Sequence, residues 1–238
     1  MSQPYKIFPI GDAAASIELG NYINEEVNAK VLAMRVWLNN QAIDGIKDII
    51  VAYSSLTIYY DPIILKKKNP ITETVYGFIH QFLKMAFHES EVIPEHHSKI
   101  MQIPVCYSNG FGMDIDFVCA QKNISKQELL HLHSSRIYKV YMIGFLPGFS
   151  YLGTIDDRLV VPRKQKPVMV EAGSVGIAAS QTGIYPLNSP GGWQIIGRTP
   201  MQMFNPNQEQ PVVLNVGDYV RFYEISKEEF ENYPVLVD

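Results

Sequence analysis

The chain reads SPGGWQIIGRTP from Ser189 to Pro200, a short apolar run set between glycines and prolines. Residues 194–196 have the length and composition of a buried β-strand, and the flanking Gly and Pro residues are typical of tight turns. Similar short runs recur from Tyr138 onward, each interrupted by glycine or proline, and this spacing predicts a closed or nearly closed β-barrel. The other runs are residues 140–143, 159–161, 175–178, 212–214 and 219–223.

The first 90 residues show a different pattern, in which strand and helix periods alternate. Asn24 is placed as the N-cap of a helix with an apolar stripe at helical spacing. Two strands follow, at residues 46–53 and 56–60, and a second amphipathic helix begins near Thr72. The lysines at 66–68 follow a predicted turn and indicate a solvated loop. The stripe of the first helix consists of Val27, Val31, Met34 and Leu38.

The order of these elements defines the expected domains. Strands, a helix, a hairpin, a helix and a strand predict a ferredoxin-like α/β domain over residues 1–90. The polar stretch at residues 91–99 breaks the pattern and predicts a linker, and residues 100–238 form the barrel domain. The fold class is therefore α+β.

Composition excludes several classes of function. The 238 residues carry a net charge of −4 and are 47% hydrophobic, which favours a packed core and argues against nucleic acid as a partner. Cys106 and Cys119 have neither redox nor zinc spacing, so no metal site is predicted. No apolar stretch is long enough to span a bilayer and no secretory signal is seen. We therefore expect a cytoplasmic protein without membrane contact.

Four segments differ from ordinary core sequence because they are dense in glycine, proline and aromatic residues. Glycines let a backbone approach a ligand closely, aromatic rings supply walls, and Arg198 could form two hydrogen bonds with a carboxylate or phosphate. The same residue types suit barrel corners and tight turns, so both interpretations stay open at this point. The segments are residues 144–153, 172–175, 181–186 and 189–200.

Standard catalytic signatures are absent from the sequence. It contains neither the GxxxxGK[ST] motif of nucleotide-binding P-loops nor the GxSxG motif of hydrolases. His131 is a candidate acid/base group, whereas His131 and His133 together do not indicate zinc because they end a predicted helix, on which residues two apart diverge. The candidate catalytic residues are His131 and Arg198. The candidate substrate- or ATP-binding residues are Gly148, Arg163, Gly173, Ser174, Gln181, Tyr185, Gly191, Gly192 and Trp193.

These segments, with IPVCY at 103–107 and VPR at 161–163, resemble the family of 5-oxoprolinase B subunits. That family also contains the kinase A inhibitor of spore-forming bacteria and the first subunit of allophanate hydrolase-type proteins and urea carboxylases. The resemblance implies an N-terminal α/β domain and a C-terminal cyclophilin-like β-barrel. It also implies a C subunit, with which the chain uses ATP and Mg to phosphorylate 5-oxoproline, and an A subunit that completes ring opening to glutamate.

The chain departs from the family pattern at three positions. Val168 stands where the family usually has the arginine of a second Pro-Arg pair, Glu171 stands where a proline is common, and Ala179 stands where a glycine is common. The missing arginine puts an anion contact on that strand in doubt, while Arg163 and Arg198 keep theirs.

Three functions are compatible with the resemblance. The first is a component of 5-oxoprolinase that is inactive alone, and the second is an inhibitor that binds a sporulation-type histidine kinase. The third is a carboxyltransferase part, which would need biotin from another chain because the sequence has no Met-Lys-Met.

Overall fold

The computed structural model describes residues 5–69, 73–92 and 100–234. The chain divides into two compact units, Met1–His96 and His97–Asp238. The predicted domain limits at 90 and 100 stay a prediction, and of the predicted linker at 91–99, residues 93–99 lie outside the described residues.

The first unit is built on a four-stranded sheet. Its strands are β1 (Lys6–Pro9), β2 (Ala14–Glu18), β3 (Ile46–Val51) and β4 (Ser55–Tyr60). The strand order is β1-β2-β4-β3 and all neighbours are antiparallel. The cross-strand pairs Ile17–Leu56 and Ala15–Ile58 are fully buried, so one face of this sheet belongs to the core of the unit.

Three helices belong to this unit: α1 (Glu25–Asn40), α2 (Pro62–Lys68) and α3 (Val75–Glu89). Asn24 caps α1 as predicted, because its side chain accepts a hydrogen bond of 2.9 Å from the Val27 N–H. Thr74 caps α3 in the same way, accepting from the Gly77 N–H at 2.9 Å. Each cap satisfies a backbone donor that has no partner within its helix.

The predicted solvated loop at residues 66–68 was wrong, because these lysines form the last turn of α2. The Asp61 side chain accepts hydrogen bonds of 3.0 Å from the Ile63 and Ile64 N–H groups, and Pro62 occupies the first helical position. Both features favour helix initiation. The lysines then lie at the negative end of the helix dipole, where positive charge is favourable.

The ferredoxin-like arrangement predicted for this unit is not confirmed. In that fold, a last strand follows the second helix and pairs beside the first strand. In the described residues of the unit, no strand follows α3. The place beside β2 is instead taken by β1, which pairs Lys6 with Glu18 and Pro9 with Ala15.

The second unit is built on a seven-stranded sheet that curls until its outer strands meet. These strands are β5 (Ile100–Val105), β6 (Ile137–Ile143), β7 (Ser150–Gly153), β9 (Ser174–Ala178), β10 (Gln181–Ile184), β12 (Gln194–Arg198) and β13 (Tyr219–Glu224). Their order is β12-β9-β10-β7-β6-β13-β5. Beyond β5, Cys106 exchanges two backbone hydrogen bonds with Arg198 on β12, of 2.8 and 3.0 Å. The curled sheet and its helices give the unit the mixed composition of the predicted α+β class.

A separate two-stranded sheet pairs β8 (Val168–Val170) with β11 (Ser189–Gly191). Two of the predicted strands in this unit do not form. Of residues 159–161, Leu159 instead ends a single 3-10 turn at Asp157–Leu159, and Val161 makes only an isolated bridge to Ala179. Val212 likewise makes only an isolated bridge, to Phe204.

The helices of this unit are α4 (Ile115–Lys122), α5 (Lys126–Ser134) and α6 (Lys227–Glu231). Ser125 caps α5 by accepting from the Glu128 N–H at 3.1 Å. Ser226 and Glu229 form a complete capping box at α6, which satisfies two backbone donors reciprocally.

A buried polar chain crosses the core of the second unit at His133. The Tyr107 hydroxyl lies 2.8 Å from Nδ1 and the Thr182 hydroxyl lies 2.9 Å from Nε2. Since Thr182 donates its own proton to the Gly176 carbonyl at 3.1 Å, it accepts from Nε2–H, and Tyr107 donates to Nδ1. His133 is therefore neutral in the fold, and burial lowers its pKa to about 3.

Candidate functional site

An aromatic pocket of about 440 Å³ opens on the second unit. Its walls are aromatic rings that contact one another, mostly edge to face, with Phe149 at the centre. The Phe149 ring lies 4.9 Å from Tyr185, 5.5 Å from Trp193 and 4.6 Å from Tyr151, measured between ring centroids. Such contacts fix the rings in place and leave a preformed apolar surface. The lining is completed by Phe145, Arg163, Lys164, Gln165, Pro167, Pro190 and Gly192.

Two glycines allow these rings to pack directly on the backbone. A Cβ at Gly191 would lie 2.8 Å from the Tyr185 hydroxyl oxygen, and a Cβ at Gly183 would lie 3.0 Å from the Trp193 ring. Any side chain at either position would displace a wall of the pocket. At Gly192, by contrast, a Cβ would meet nothing within 4 Å.

The backbone segment that carries Arg163 at the aromatic pocket is held by hydrogen bonds on both sides of this residue. The Lys164 N–H donates to the Gly192 carbonyl at 2.7 Å, and the Gln194 side chain donates to the Pro162 carbonyl at 3.0 Å. Arg163 lies over the Trp193 ring, with the guanidinium carbon 5.9 Å from the centroid. The backbone that carries this cation is therefore fixed against the pocket wall.

Lys164 and Arg163 differ in their partners. Lys164 Nζ lies 2.5 Å from Asp114 Oδ2, and both side chains are largely buried. The same carboxylate oxygen accepts from the Ile195 N–H at 2.6 Å, which ties the 114 region to β12. Arg163 has no carboxylate within 4.0 Å among the residues that the structure describes, so it carries the unbalanced positive charge of the pocket.

Burial raises the pKa of Tyr185 and of Tyr151. In both cases the charge of Arg163 opposes this effect, and hydrogen bonds from the Trp193 and Gly192 backbone also lower the pKa of Tyr185. Both phenols are therefore neutral near pH 7. A neutral phenol can donate its proton to a hydrogen-bond acceptor.

A second pocket, of about 610 Å³, is lined by Arg198 and Gly173 and shares no lining residue with the aromatic pocket. Arg198 is already engaged there. Its Nε donates to the Ala172 carbonyl at 2.8 Å, its Nη1 forms an ion pair with Glu171, and its guanidinium lies 5.7 Å from the Phe230 ring centroid. Burial lowers the pKa of Arg198.

The structure therefore divides several of the predicted site residues between two pockets. Arg163, Tyr185, Gly192 and Trp193 line the aromatic pocket, and Gly191 supports it. Gly173 and Arg198 line the second pocket. The Arg198 guanidinium pairs with a carboxylate of this chain.

The remaining predicted residues lie elsewhere. Gly148 packs in the 144–149 loop, where a Cβ would lie 3.1 Å from Phe204. Ser174 is buried on β9, and Gln181 begins β10 opposite Gly153. His131 is exposed on α5 and lines neither pocket. The catalytic role predicted for His131 stays a prediction without geometric support.

Gly173 has a structural reason to be glycine. Its φ is +83°, and a Cβ would lie 2.3 Å from the Thr199 carbonyl oxygen. Its N–H donates to the Tyr185 carbonyl at 2.7 Å, and its carbonyl accepts from the Thr199 N–H at 2.9 Å. This position therefore joins the two strand ends beside the second pocket rather than presenting an N–H to a ligand.

Sequence reasoning missed the pairing of Lys164 with Asp114 and the central place of Phe149. The aromatic residues of segment 144–153 indicated a candidate site, but no local feature of the sequence shows which aromatic ring faces a pocket. In the part of the chain that the structure describes, no group of three or more His, Cys, Asp or Glu could hold a metal ion. No helix among these residues is both long and apolar enough to cross a bilayer.

Comparison with known proteins identifies the family. The family model for the carboxyltransferase domain, subdomain C and D, matches residues 5–214. The 5-oxoprolinase B subunit of Bacillus subtilis is 38% identical over 239 residues, which cover 98% of each chain. The chain belongs to the family of 5-oxoprolinase B subunits. The corresponding protein of Escherichia coli O157:H7 is 35% identical, over 92% of this chain and 96% of its own length.

A solved structure supports the fold of this member of the 5-oxoprolinase family. The protein TTHA0988 is 33% identical to it and superposes with a TM-score of 0.76 over 90% of this chain. The matched region is 40% of that longer chain.

Proposed function

We propose that this protein is the B subunit of an ATP-dependent 5-oxoprolinase. It would act with a C subunit to phosphorylate 5-oxoproline, and an A subunit would complete ring opening to L-glutamate. The observation that carries the proposal is the match to the Bacillus subtilis protein over 98% of both chains. A kinase-binding inhibitor or a carboxyltransferase part is not favoured, because the relatives at 35–38% identity over most of the chain bear the 5-oxoprolinase name.

The chemistry explains why ATP would be needed. 5-Oxoproline is a stable cyclic amide, and phosphorylation of its amide oxygen makes the adjacent carbon electrophilic. The protein contribution to such a transfer is mostly positioning and charge stabilisation. A rigid aromatic pocket with one fixed cation suits the positioning of a small substrate.

The residues of the two pockets do not by themselves fit Mg-ATP. A triphosphate requires several free cations or a cradle of backbone N–H groups. In the second pocket the charge of Arg198 is balanced by Glu171, and Glu231 also lines it. We therefore propose that ATP and Mg bind in the complex with the C subunit.

Reconstitution tests this function. The purified chain, its cognate C subunit and its cognate A subunit are assayed singly, in pairs and together for 5-oxoproline-dependent ATP hydrolysis and for glutamate. We expect turnover only from the complete mixture, with omission of 5-oxoproline as the control. Strong turnover by the single chain would contradict its assignment as one component of a complex, and inactivity of the complete mixture would contradict the activity itself.

A further inference from the structure

The aromatic pocket has the features of a site for one small anion. Its volume of about 440 Å³ lies in the range of small-molecule sites. Its walls are aromatic faces and edges, which suit a flat, partly apolar ring. The polar groups on the lining are few, as expected where orientation is set by a small number of contacts.

The electrostatics select a negative ligand. Arg163 and Lys164 are the basic residues of the lining, but Lys164 is neutralised by Asp114 at 2.5 Å. Arg163 has no such partner in the described part of the chain, and its guanidinium lies against Trp193. A planar guanidinium next to an open pocket is suited to bind a carboxylate through two parallel hydrogen bonds.

Arg163 is also prepared for this role before a ligand arrives. The bonds from Lys164 N–H to Gly192 and from Gln194 to Pro162 hold its backbone on both sides. A cation on a fixed backbone loses less conformational freedom on binding than one on a mobile loop. Tyr185 lines the same pocket, and a phenol can donate a hydrogen bond to an amide oxygen.

We propose that the aromatic pocket binds a small cyclic amide that carries a carboxylate, with Arg163 as the carboxylate-binding residue and Tyr185 as the donor to the amide oxygen. The identity of this ligand as 5-oxoproline rests on the proposed function. The class of ligand, a small flat monocarboxylate, rests on the pocket alone. Arg198 is excluded from this role because Glu171 already occupies its guanidinium.

Direct binding tests the proposal without requiring turnover. The chain has two tryptophans, so a Trp37→Phe background leaves Trp193 in the pocket wall as the reporter of fluorescence. 5-Oxoproline is titrated in parallel with 2-pyrrolidinone, which has the same ring and amide but no carboxylate. For so small a ligand we expect millimolar affinity, with 2-pyrrolidinone at least tenfold weaker.

Variants then assign the charge. We expect Arg163→Met to weaken 5-oxoproline binding at least tenfold and to leave 2-pyrrolidinone binding unchanged. The matched control is Arg221→Met, an exposed arginine on β13 outside the pocket, which should bind both ligands as the parent does. Arg163→Lys keeps the charge but loses the paired hydrogen bonds, and we expect an intermediate affinity.

Two results would overturn the proposal: no saturable change in Trp193 fluorescence with 5-oxoproline, or equal affinities for the Arg163→Met and Arg221→Met variants. The reconstituted complex separates this outcome from failure of the proposed function. Normal turnover by the Arg163→Met complex would support the proposed function and contradict the proposed binding site. Specific carboxylate binding by the chain, together with an inactive wild-type complex, would support the binding site and contradict the function.

Discussion

Replacing His133 by glutamine tests whether its buried neutral imidazole makes the second unit sensitive to acid. Burial lowers the pKa of His133 to about 3, from an ordinary value of 6.5. The neighbouring phenols of Tyr107 and Tyr138 stay protonated throughout the acidic range, because burial raises the pKa of each. His133 is therefore the group in this buried cluster that would change charge on unfolding below pH 6.5.

The direction follows from proton binding. Below pH 6.5 the unfolded chain takes up a proton on His133, whereas the folded chain takes it up only near pH 3. Stability from this group is therefore complete above about pH 6.5 and is lost as the pH falls, at about 1.4 kcal/mol per pH unit. Between pH 6.5 and about 4.5 the free energy of unfolding falls by roughly 3 kcal/mol.

The assay is denaturant unfolding at several pH values, followed by Trp193 fluorescence in the Trp37→Phe background so that the second unit is observed. The range ends near pH 4.5 to limit the contribution of carboxylates, such as Asp156 with its pKa of about 2. We expect His133→Gln to lower the free energy of unfolding by roughly 1–3 kcal/mol at pH 7, because the hydrogen bonds to Tyr107 and Thr182 are disturbed. The variant should also lose most of the decrease in the free energy of unfolding between pH 6.5 and 4.5.

His131→Gln is the matched control, because His131 lies two residues away on the same helix and is exposed. The free energy of unfolding of His131→Gln should depend on pH as that of the parent protein does. An unchanged slope in His133→Gln, or an equal reduction in both variants, would refute the assignment of the slope to the buried imidazole.

Two further predictions concern the pockets. Gly191→Ala places a Cβ 2.8 Å from the Tyr185 hydroxyl oxygen, whereas the Cβ of Gly192→Ala meets nothing within 4 Å. We therefore expect the free energy of unfolding to fall by about 1–3 kcal/mol in Gly191→Ala alone. Equal melting temperatures of the two variants would contradict this packing. Arg198→Lys removes the Nε that donates to the Ala172 carbonyl at 2.8 Å. We therefore expect thermal denaturation to show a fall of about 1 kcal/mol in the free energy of unfolding. Turnover by the complete complex should stay within about threefold of wild type. A tenfold fall in turnover with unchanged stability would return Arg198 to the substrate site.

Local signals in the sequence determined several elements. Asn24 and the apolar stripe behind it predicted α1, and the structure confirms both the helix and its cap. The capping box of Ser226 and Glu229 at α6 is equally local. These features depend on residues within one or two turns of each other, so one sequence contains all the information they need. The short runs separated by Gly and Pro predicted a closed or nearly closed β-barrel, and the structure has a curled seven-stranded sheet.

Only the tertiary structure decided which predicted site residues act together. Lys164 is neutralised by Asp114, 50 positions earlier by numbering, and Arg198 is occupied by Glu171, whereas Arg163 keeps its charge. The sequence shows three similar basic residues in glycine- and proline-rich surroundings and cannot rank them. Whether a cation is available to a ligand depends on which carboxylate the fold brings within 4 Å, and that distance is set by the packing of strands and turns far apart along the chain.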